Sequence, residues 1–360
     1  MESFHCKTKI ISGSGAIRAL KEQNIQRMLL VCDPFFHKNG TAQAVIAAAG
    51  SPQCQIFSQI VPDPSVQLAA KGAAQVQNWN PDTVVALGGG STMDAAKAMT
   101  YFSGLKPRLV AIPTTSGSGS EVTNFAILTH DGVKHPLVDE QLKPDIAILD
   151  HDLVASLPTS LVADGGFDLI SHALEAYVAA NRSQISDLLA QEAFRTAVNQ
   201  LQASFDGDIA LRGSIHTAAT MAGIAFSQAG LGLCHAIAHS IGGEFHTPHG
   251  RLNAILLPAV IEQNAPVCAH RYANLARAAG LSGGSDTMAV RSLKNALIRL
   301  RRNLQLPETL HQAGIDTKAL SNKMDALIAA ALADPCCVTN PIEPSKEMVR
   351  RIITEVAGRG

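Results

Sequence analysis

Four histidines fall within fifteen residues of this chain, in HAIAHSIGGEFHTPH from His235 to His249. Imidazole nitrogens bind divalent transition metals and move protons near neutral pH, so this density asks for one of those chemistries. His235 and His239 stand four residues apart in a stretch of helical pattern, which puts both on one face. The Gly242–Gly243 pair and Pro248 predict a turn before His249. His246, beside Thr247 and Pro248, reads as solvent-facing. Upstream, FDLISHALEAY sets Asp168 and His172 at i and i+4 on a second helix. Alone, such a pair is more often a helix-stabilising contact. With two further histidines it completes a nitrogen and oxygen ligand set for a divalent transition metal.

Two other stretches could hold phosphate. GGGSTMDAAK follows the apolar run TVVAL and opens a helix. Its three glycines let backbone N–H groups approach an anion, and a helix N-terminus adds a favourable dipole. Neither G-x-G-x-x-G nor a lysine-containing P-loop is present, and a tight strand-to-helix turn would use the same residues. PTTSGSGSEVT follows the next apolar run and is rich in hydroxyls and glycine. Loops after neighbouring strands of an open parallel sheet lie on its ligand-binding edge, so two together point to a dinucleotide. Asp33 closes RMLLVCD, where a carboxylate can accept from an adenosine ribose and repel a 2′-phosphate. It can equally cap a following helix, and it unusually precedes the glycine loop.

Positioning these residues takes two kinds of structure. KTKIIS, RMLLVCD, DTVVALGGGS, RLVAIPTTSGSGS and DIAILD read as strands separated by helical stretches, the pattern of a parallel sheet with crossover helices. FAILTHDGVKHPLVD, Phe125 to Asp139, reads as a hairpin turning at Asp131-Gly132. After about Leu157-Pro158 the apolar spacing becomes helical almost to the end. An α/β domain over residues 1–155 and an all-α domain over 156–360 are expected, joined near residues 151–160. No internal repeat or long polar linker interrupts them.

At 360 residues two domains are the better prior. A charged fraction of 16% is below the roughly 25% of typical soluble domains, which predicts extensive buried or subunit-contact surface. A net charge of −1 gives no bulk attraction to nucleic acid or an anionic membrane. No apolar run reaches the roughly 18 residues of a membrane span, and MESFHCKTKI lacks the apolar core of a signal peptide. Seven scattered cysteines, an odd number, fit a reducing cytoplasm better than a disulfide scaffold.

Together, GGGSTMDAAK, AIPTTSGSGSEVT, FDLISHALEAY and GLGLCHAIAHSIGGEFHTPHG resemble the iron-containing, group III alcohol dehydrogenases, whose architecture is dehydroquinate synthase-like. The resemblance runs from KIISGSGAIRAL to ALADPCCVTNP. Within the family the chain is most similar to the propanol dehydrogenases encoded with bacterial microcompartment enzymes, on AFSQAGLGLCHAIAH and the short C-terminal end. The resemblance implies metal ligation by Asp168, His172, His235 and His249, with iron(II) expected and zinc(II) the alternative. It makes His239 a non-ligand proton relay beside the nicotinamide. Asp33 matches the acid at the adenosine ribose, implying NAD(H). Asp63 stands where the family often has Asn. Gly89, Gly90 and Ser91 match the pyrophosphate loop. Thr114, Thr115, Ser118 and Thr123 match residues around the adenine and nicotinamide ribose, and Lys134 matches a cofactor-contacting lysine on a slightly shorter hairpin. Phe226 and Cys336 match positions facing the substrate. Arg251 departs from the small or apolar residue usual after the PHG turn.

The expected reaction is aldehyde reduction or alcohol oxidation on short primary substrates, propanal and 1-propanol foremost. A homodimer is expected, in the cytoplasm or inside a bacterial microcompartment, near its shell or a partner aldehyde dehydrogenase. The same architecture hosts glycerol dehydrogenases, which typically use zinc, and dehydroquinate synthases, whose phosphorylated substrate needs a basic cluster not seen near these motifs. A non-catalytic cofactor-binding subunit is the remaining alternative, and the intact ligand set argues against it.

Overall fold

The computed structural model describes residues 4–130, 133–281 and 283–358. The chain divides after Leu157 into an α/β unit and a helical unit.

The strands of the first unit are β1 (Lys9–Gly13), β2 (Arg27–Cys32), β3 (Gln53–Phe57), β4 (Thr83–Gly88), β5 (Arg108–Pro113), β6 (Phe125–His130), β7 (Val133–Val138) and β8 (Ile146–Asp150). Its helices are α1 (Pro34–Lys38), α2 (Thr41–Ala48), α3 (Val66–Trp79), α4 (Gly90–Phe102) and α5 (His151–Val154). A six-stranded parallel sheet has the order β1-β8-β5-β4-β2-β3. β4 is buried throughout, and β2 everywhere but Arg27, as befits strands covered on both faces. Period-two alternation sends Leu30, Cys32, Val85, Leu87, Val110 and Ile112 into one core. Leu29, Val31, Val84, Ala86, Leu109 and Ala111 enter the other. The sequence expectation omits β3, because QCQIF is short and mixes polar with apolar residues at the sheet edge. The stretch AIRALKEQ forms a 3-10 helix, Ala16–Gln23.

From β2 the chain crosses outward to β3, then returns to β4 on the other side of β2. Crossovers therefore diverge at the C-terminal ends of β2 and β4, which is where open α/β sheets hold ligands. Asp33 follows β2 and Gly89 follows β4. The antiparallel pair β6–β7 is the expected hairpin. Its proposed turn, Asp131-Gly132, lies outside the described residues.

The second unit is built from α6 (Thr159–Val178), α7 (Gln184–Phe205), α8 (Arg212–Ala229), α9 (Leu233–Phe245), α10 (His249–Ala278), α11 (Asp286–Asn303), α12 (Thr317–Ala333) and α13 (Lys346–Ala357). One local expectation needs correction. α9 runs straight through Gly242–Gly243, and the turn before His249 is made by His246, whose left-handed φ of 53° ends the helix. Pro248 then precedes α10, which opens on His249. Among the described residues no single helix is long and apolar enough to cross a membrane.

Candidate functional site

In the helical unit, Asp168 and His172 lie one turn apart on the buried face of α6, His235 in the first turn of α9, and His249 at the first position of α10. Their ring nitrogens converge. Nε2 of His172 and of His235 each lie 3.8 Å from Asp168 Oδ1, and Nε2 of His249 lies 3.5 Å from it. These separations are long for hydrogen bonds. They match ligands of a shared ion: two donor atoms each about 2.1 Å from a metal, at a tetrahedral angle, lie about 3.4 Å apart. The three-nitrogen, one-carboxylate set also has the chemistry of a divalent transition-metal site. The donor atoms of Asp168, His172 and His235 all lie within 4.8 Å of one another, and His249 adds a donor beside Asp168, so the residues present fit the expected ion.

Local packing explains the convergence. A Cβ at Gly250 would sit 1.9 Å from the Asp164 carbonyl oxygen, so only glycine lets the first turn of α10 lie against α6. That contact delivers His249 to the Asp168 face one turn further along α6. Arg251 departs from the usual residue type but has a partner, pairing with both carboxylate oxygens of Asp164 at 3.2 and 3.0 Å. His246 is exposed.

Two buried residues brace the cluster, and neither was anticipated. Glu175 Oε2 accepts from His235 Nδ1 at 2.6 Å. Asn253 Nδ2 donates to Asp168 Oδ1 at 3.0 Å and lies 3.3 and 3.2 Å from Nε2 of His235 and His249. Both carried a sequence signal: Glu175 is at i+7 from Asp168, on the same helix face, and Asn253 at i+4 from His249. Burial disfavours charge on Asp168, yet the facing imidazoles of His172, His249 and His235 hold its carboxyl well below the usual range. Burial likewise opposes charge on His235, but Asp168 and Glu175 raise it to about 9. Burial pushes His249 well below its ordinary value.

His239 stacks on His249, with ring centroids 5.0 Å apart at 15°, while its Nδ1 donates to Asp334 Oδ2 at 2.8 Å. Asp334 is 95 residues away, and no local pattern foretells it. Burial favours its neutral acid, but the His239 bond outweighs this and lowers Asp334 to about 2. Cys336 donates its backbone N–H to Asp334 Oδ1 at 2.8 Å, and its thiol lies within 4.8 Å of the ligand atoms of His239 and Asp334. The Phe226 ring stacks on His172 at 4.3 Å and 21°. The structure thus gathers every residue expected at the metal, relay and substrate positions.

In the α/β unit the two expected loops touch. A Cβ on Gly89 would meet Thr115 Oγ1 at 3.1 Å, and one on Gly90 would meet Ser118 Cβ at 3.3 Å. Gly89 precedes α4 without a side-chain cap, leaving the helix's opening N–H groups, including that of Ser91, beside the loop. Thr114 is buried, and its N–H donates to the Gly88 carbonyl at 3.0 Å. Thr123 is fully buried, its hydroxyl accepting from Lys97 Nζ at 2.9 Å. Lys97 also donates to Ser120 Oγ and the Phe125 carbonyl, each at 2.9 Å. Asp94, one turn earlier on α4, accepts from Ser120 Oγ at 2.8 Å and the Ile127 N–H at 3.1 Å. These two residues of GGGSTMDAAK clamp the second loop to α4, and the sequence reading passes over them. Burial pulls the Lys97 ammonium down to about 8, against Asp94 and Glu121, which favour its charge.

Asp33 caps α1: its Oδ1 accepts from the N–H groups of Phe35 and Phe36 at 2.8 and 3.2 Å. Both described bonds use one oxygen, so the capping reading is realised and the other oxygen is not committed by it. Asp63 and Lys134, both expected at the cofactor, form an ion pair at 2.7 Å. Asp63 has a left-handed φ of 54°, a conformation that Asn and Asp tolerate best among non-glycine residues.

Comparison with known proteins follows the same division. Residues 7–151 match the iron-containing alcohol dehydrogenase family model, and residues 162–357 match the C-terminal model of that family. A 1-propanol dehydrogenase, PduQ of Citrobacter freundii, is 40% identical over 99% of this chain and 100% of its own. An NADPH-dependent butanol dehydrogenase of Clostridium saccharobutylicum is 35% identical over 98% of this chain and 97% of its own. The solved iron-containing alcohol dehydrogenase of Thermococcus thioreducens superposes with a TM-score of 0.89 at 32% identity, covering 98% of this chain and 99% of that one. This chain belongs to the iron-containing alcohol dehydrogenase family and is an oxidoreductase that interconverts alcohols and aldehydes.

Proposed function

We propose that this enzyme interconverts short, unbranched primary alcohols and their aldehydes, propanal and 1-propanol foremost, with NAD(H) and an iron(II) ion held by Asp168, His172, His235 and His249. The observation that carries the reading is the convergence of three imidazole Nε2 atoms on Asp168 Oδ1 at 3.5–3.8 Å. Once bound, the ion supplies Lewis acidity, which lowers an alcohol's pKa or polarises a carbonyl, while the nicotinamide carries the hydride.

The chain's residues supply the rest. Asp334 holds Nδ1 of His239, so Nε2 is the atom that takes or returns the proton. Phe226 offers an apolar ring and Cys336 a weakly polar thiol to the substrate's carbon chain. Neither gives the fixed donors a polyol needs, and a buried hydroxyl without a partner is costly. Backbone N–H groups at Gly89, Gly90 and Ser91 bind the pyrophosphate. Thr114, Thr115, Ser118 and Thr123 shape the ribose and adenine contacts, with Asp63 and Lys134 at the hairpin. Asp33 binds the adenosine ribose and disfavours a 2′-phosphate. The 1-propanol dehydrogenase relative supports the substrate choice. One similar chain is an NADPH-dependent butanol dehydrogenase, so the NAD reading rests on Asp33. By family resemblance we further place the enzyme as a cytoplasmic homodimer, inside a microcompartment, regenerating NAD for an aldehyde dehydrogenase.

The test is kcat/KM for propanal, ethanal, butanal and dihydroxyacetone with NADH. Each methylene in an apolar pocket changes discrimination by only about 1–3 kcal/mol, so the three aldehydes should all react, propanal best. Dihydroxyacetone giving the highest value would replace this reading with a glycerol dehydrogenase.

A further inference from the structure

We propose that Glu175 is a positioning residue of the metal centre: its carboxylate holds a proton on Nδ1 of His235, keeps Nε2 as the donor, and ties that ring to the start of α9. The inference rests on the four-ligand reading above. Glu175 is 2% exposed, and its Oε2 accepts from His235 Nδ1 at 2.6 Å. A carboxylate can only accept here, so Nδ1 carries a hydrogen, and Nε2, which faces Asp168, is the ring nitrogen left for a metal to take.

The same carboxylate serves a second purpose. The first N–H groups of a helix have no partner within it, and Gly232, which precedes α9, has no side chain to offer. Glu175 reaches across from α6 instead, with Oε2 accepting from the Gly232 N–H at 3.0 Å and Oε1 from the Cys234 N–H at 2.7 Å. Asn340 Oδ1 accepts the intervening Leu233 N–H at 3.1 Å. The approach is tight enough to require glycine: a Cβ at Gly232 would lie 2.8 Å from Glu175 Oε1 and 2.9 Å from Asn340 Oδ1. Backbone and ring of His235 are thus fixed by one anion. α6 provides two ligands directly, Asp168 and His172, and orients a third through Glu175.

The experiment compares the full-length wild type with Glu175→Gln and Asn340→Ala, each competed for Co(II) by a chelator and read by metal retention and visible spectrum. Glutamine keeps the volume, but its NH2 group must face one of the donors that the carboxylate accepts. Glu175→Gln should bind Co(II) about 10–100-fold more weakly, the usual cost of losing such a partner, with altered Co(II) bands. Asn340→Ala removes a helix cap without touching the ring, so it should lower the melting temperature and leave Co(II) affinity within about twofold. Unchanged affinity and spectrum in Glu175→Gln, with stability alone reduced, would overturn the proposal. Should that variant not fold, the wild type answers by histidine 15N NMR: a protonated Nδ1 on His235 is expected, and an unprotonated one refutes the assignment. Failure of the wild type to bind Co(II) at all would instead refute the four-ligand reading.

Discussion

Gly89 and Gly90 shape the nucleotide loop by having no side chain, whereas the cluster in the helical unit is made of side chains alone. At the loop, the approach of Thr115 and Ser118 leaves 3.1 and 3.3 Å for any added Cβ, and the proposed binding groups are backbone N–H. At the cluster, four donor groups come from three helices, and each must be aimed. The supports differ accordingly. Asp94 and Lys97 clamp a loop, while Glu175, Asn253 and Asp334 orient individual side-chain atoms. The comparison teaches that the α/β unit should tolerate change in side chains that point away from the loop backbone, and that the helical unit should fail sharply at single residues.

The largest expected effect is at a ligand. His249→Ala should take bound metal and alcohol oxidation to background together, read by elemental analysis and NADH production on one sample; full activity would remove His249 from the site. At the relay, His239→Ala should retain the metal and lower turnover roughly 10²–10⁴-fold, as for other general acid–base groups. Loss of metal in that variant would make His239 a ligand.

Across the comparison, Asp33→Gly leaves the metal alone and should raise the NADPH-to-NADH ratio of kcat/KM on the order of 10²-fold, since like charges brought together cost several kcal/mol. A wild type that already prefers NADPH would show that Asp33 acts only as the α1 cap. The smallest effect concerns Lys97. Its folded-state pKa of about 8 is below the ordinary lysine value, so between pH 8 and about 10.4 the unfolded chain binds more protons. Wild-type stability should therefore rise with pH across that window relative to Lys97→Met, by on the order of 3 kcal/mol. Denaturant unfolding at several pH values measures this, and a difference that does not change with pH contradicts it.

Much of the site was legible because its signals are local. Asp168 and His172 at i and i+4, the histidine-rich segment, and glycine loops after apolar runs each declare themselves within a dozen residues. Glu175 and Asn253 had helical spacing from the proposed ligands Asp168 and His249, yet an acid or amide on a buried face carries no mark of its partner. Asp334 was illegible, since its bond to His239 exists only through the tertiary fold. The turn before His249 was foreseen and Pro248 borders it, but the Gly242–Gly243 pair takes no part in it. Glycines usually punctuate helices, and here the surrounding helical packing carries α9 through Gly242–Gly243 so that His246 takes the left-handed position. β3 escaped because a five-residue edge strand shows too few alternations to register.

The most direct measurement of the central claim follows metal content and catalysis in one preparation. The protein is stripped by chelator, then titrated anaerobically with Fe(II) or Mg(II) while propanal-dependent NADH oxidation is recorded. A site of three imidazoles and one carboxylate should recover activity in step with one Fe(II) per chain and should not respond to Mg(II), which prefers oxygen ligands. Full activity in the stripped protein would contradict the account.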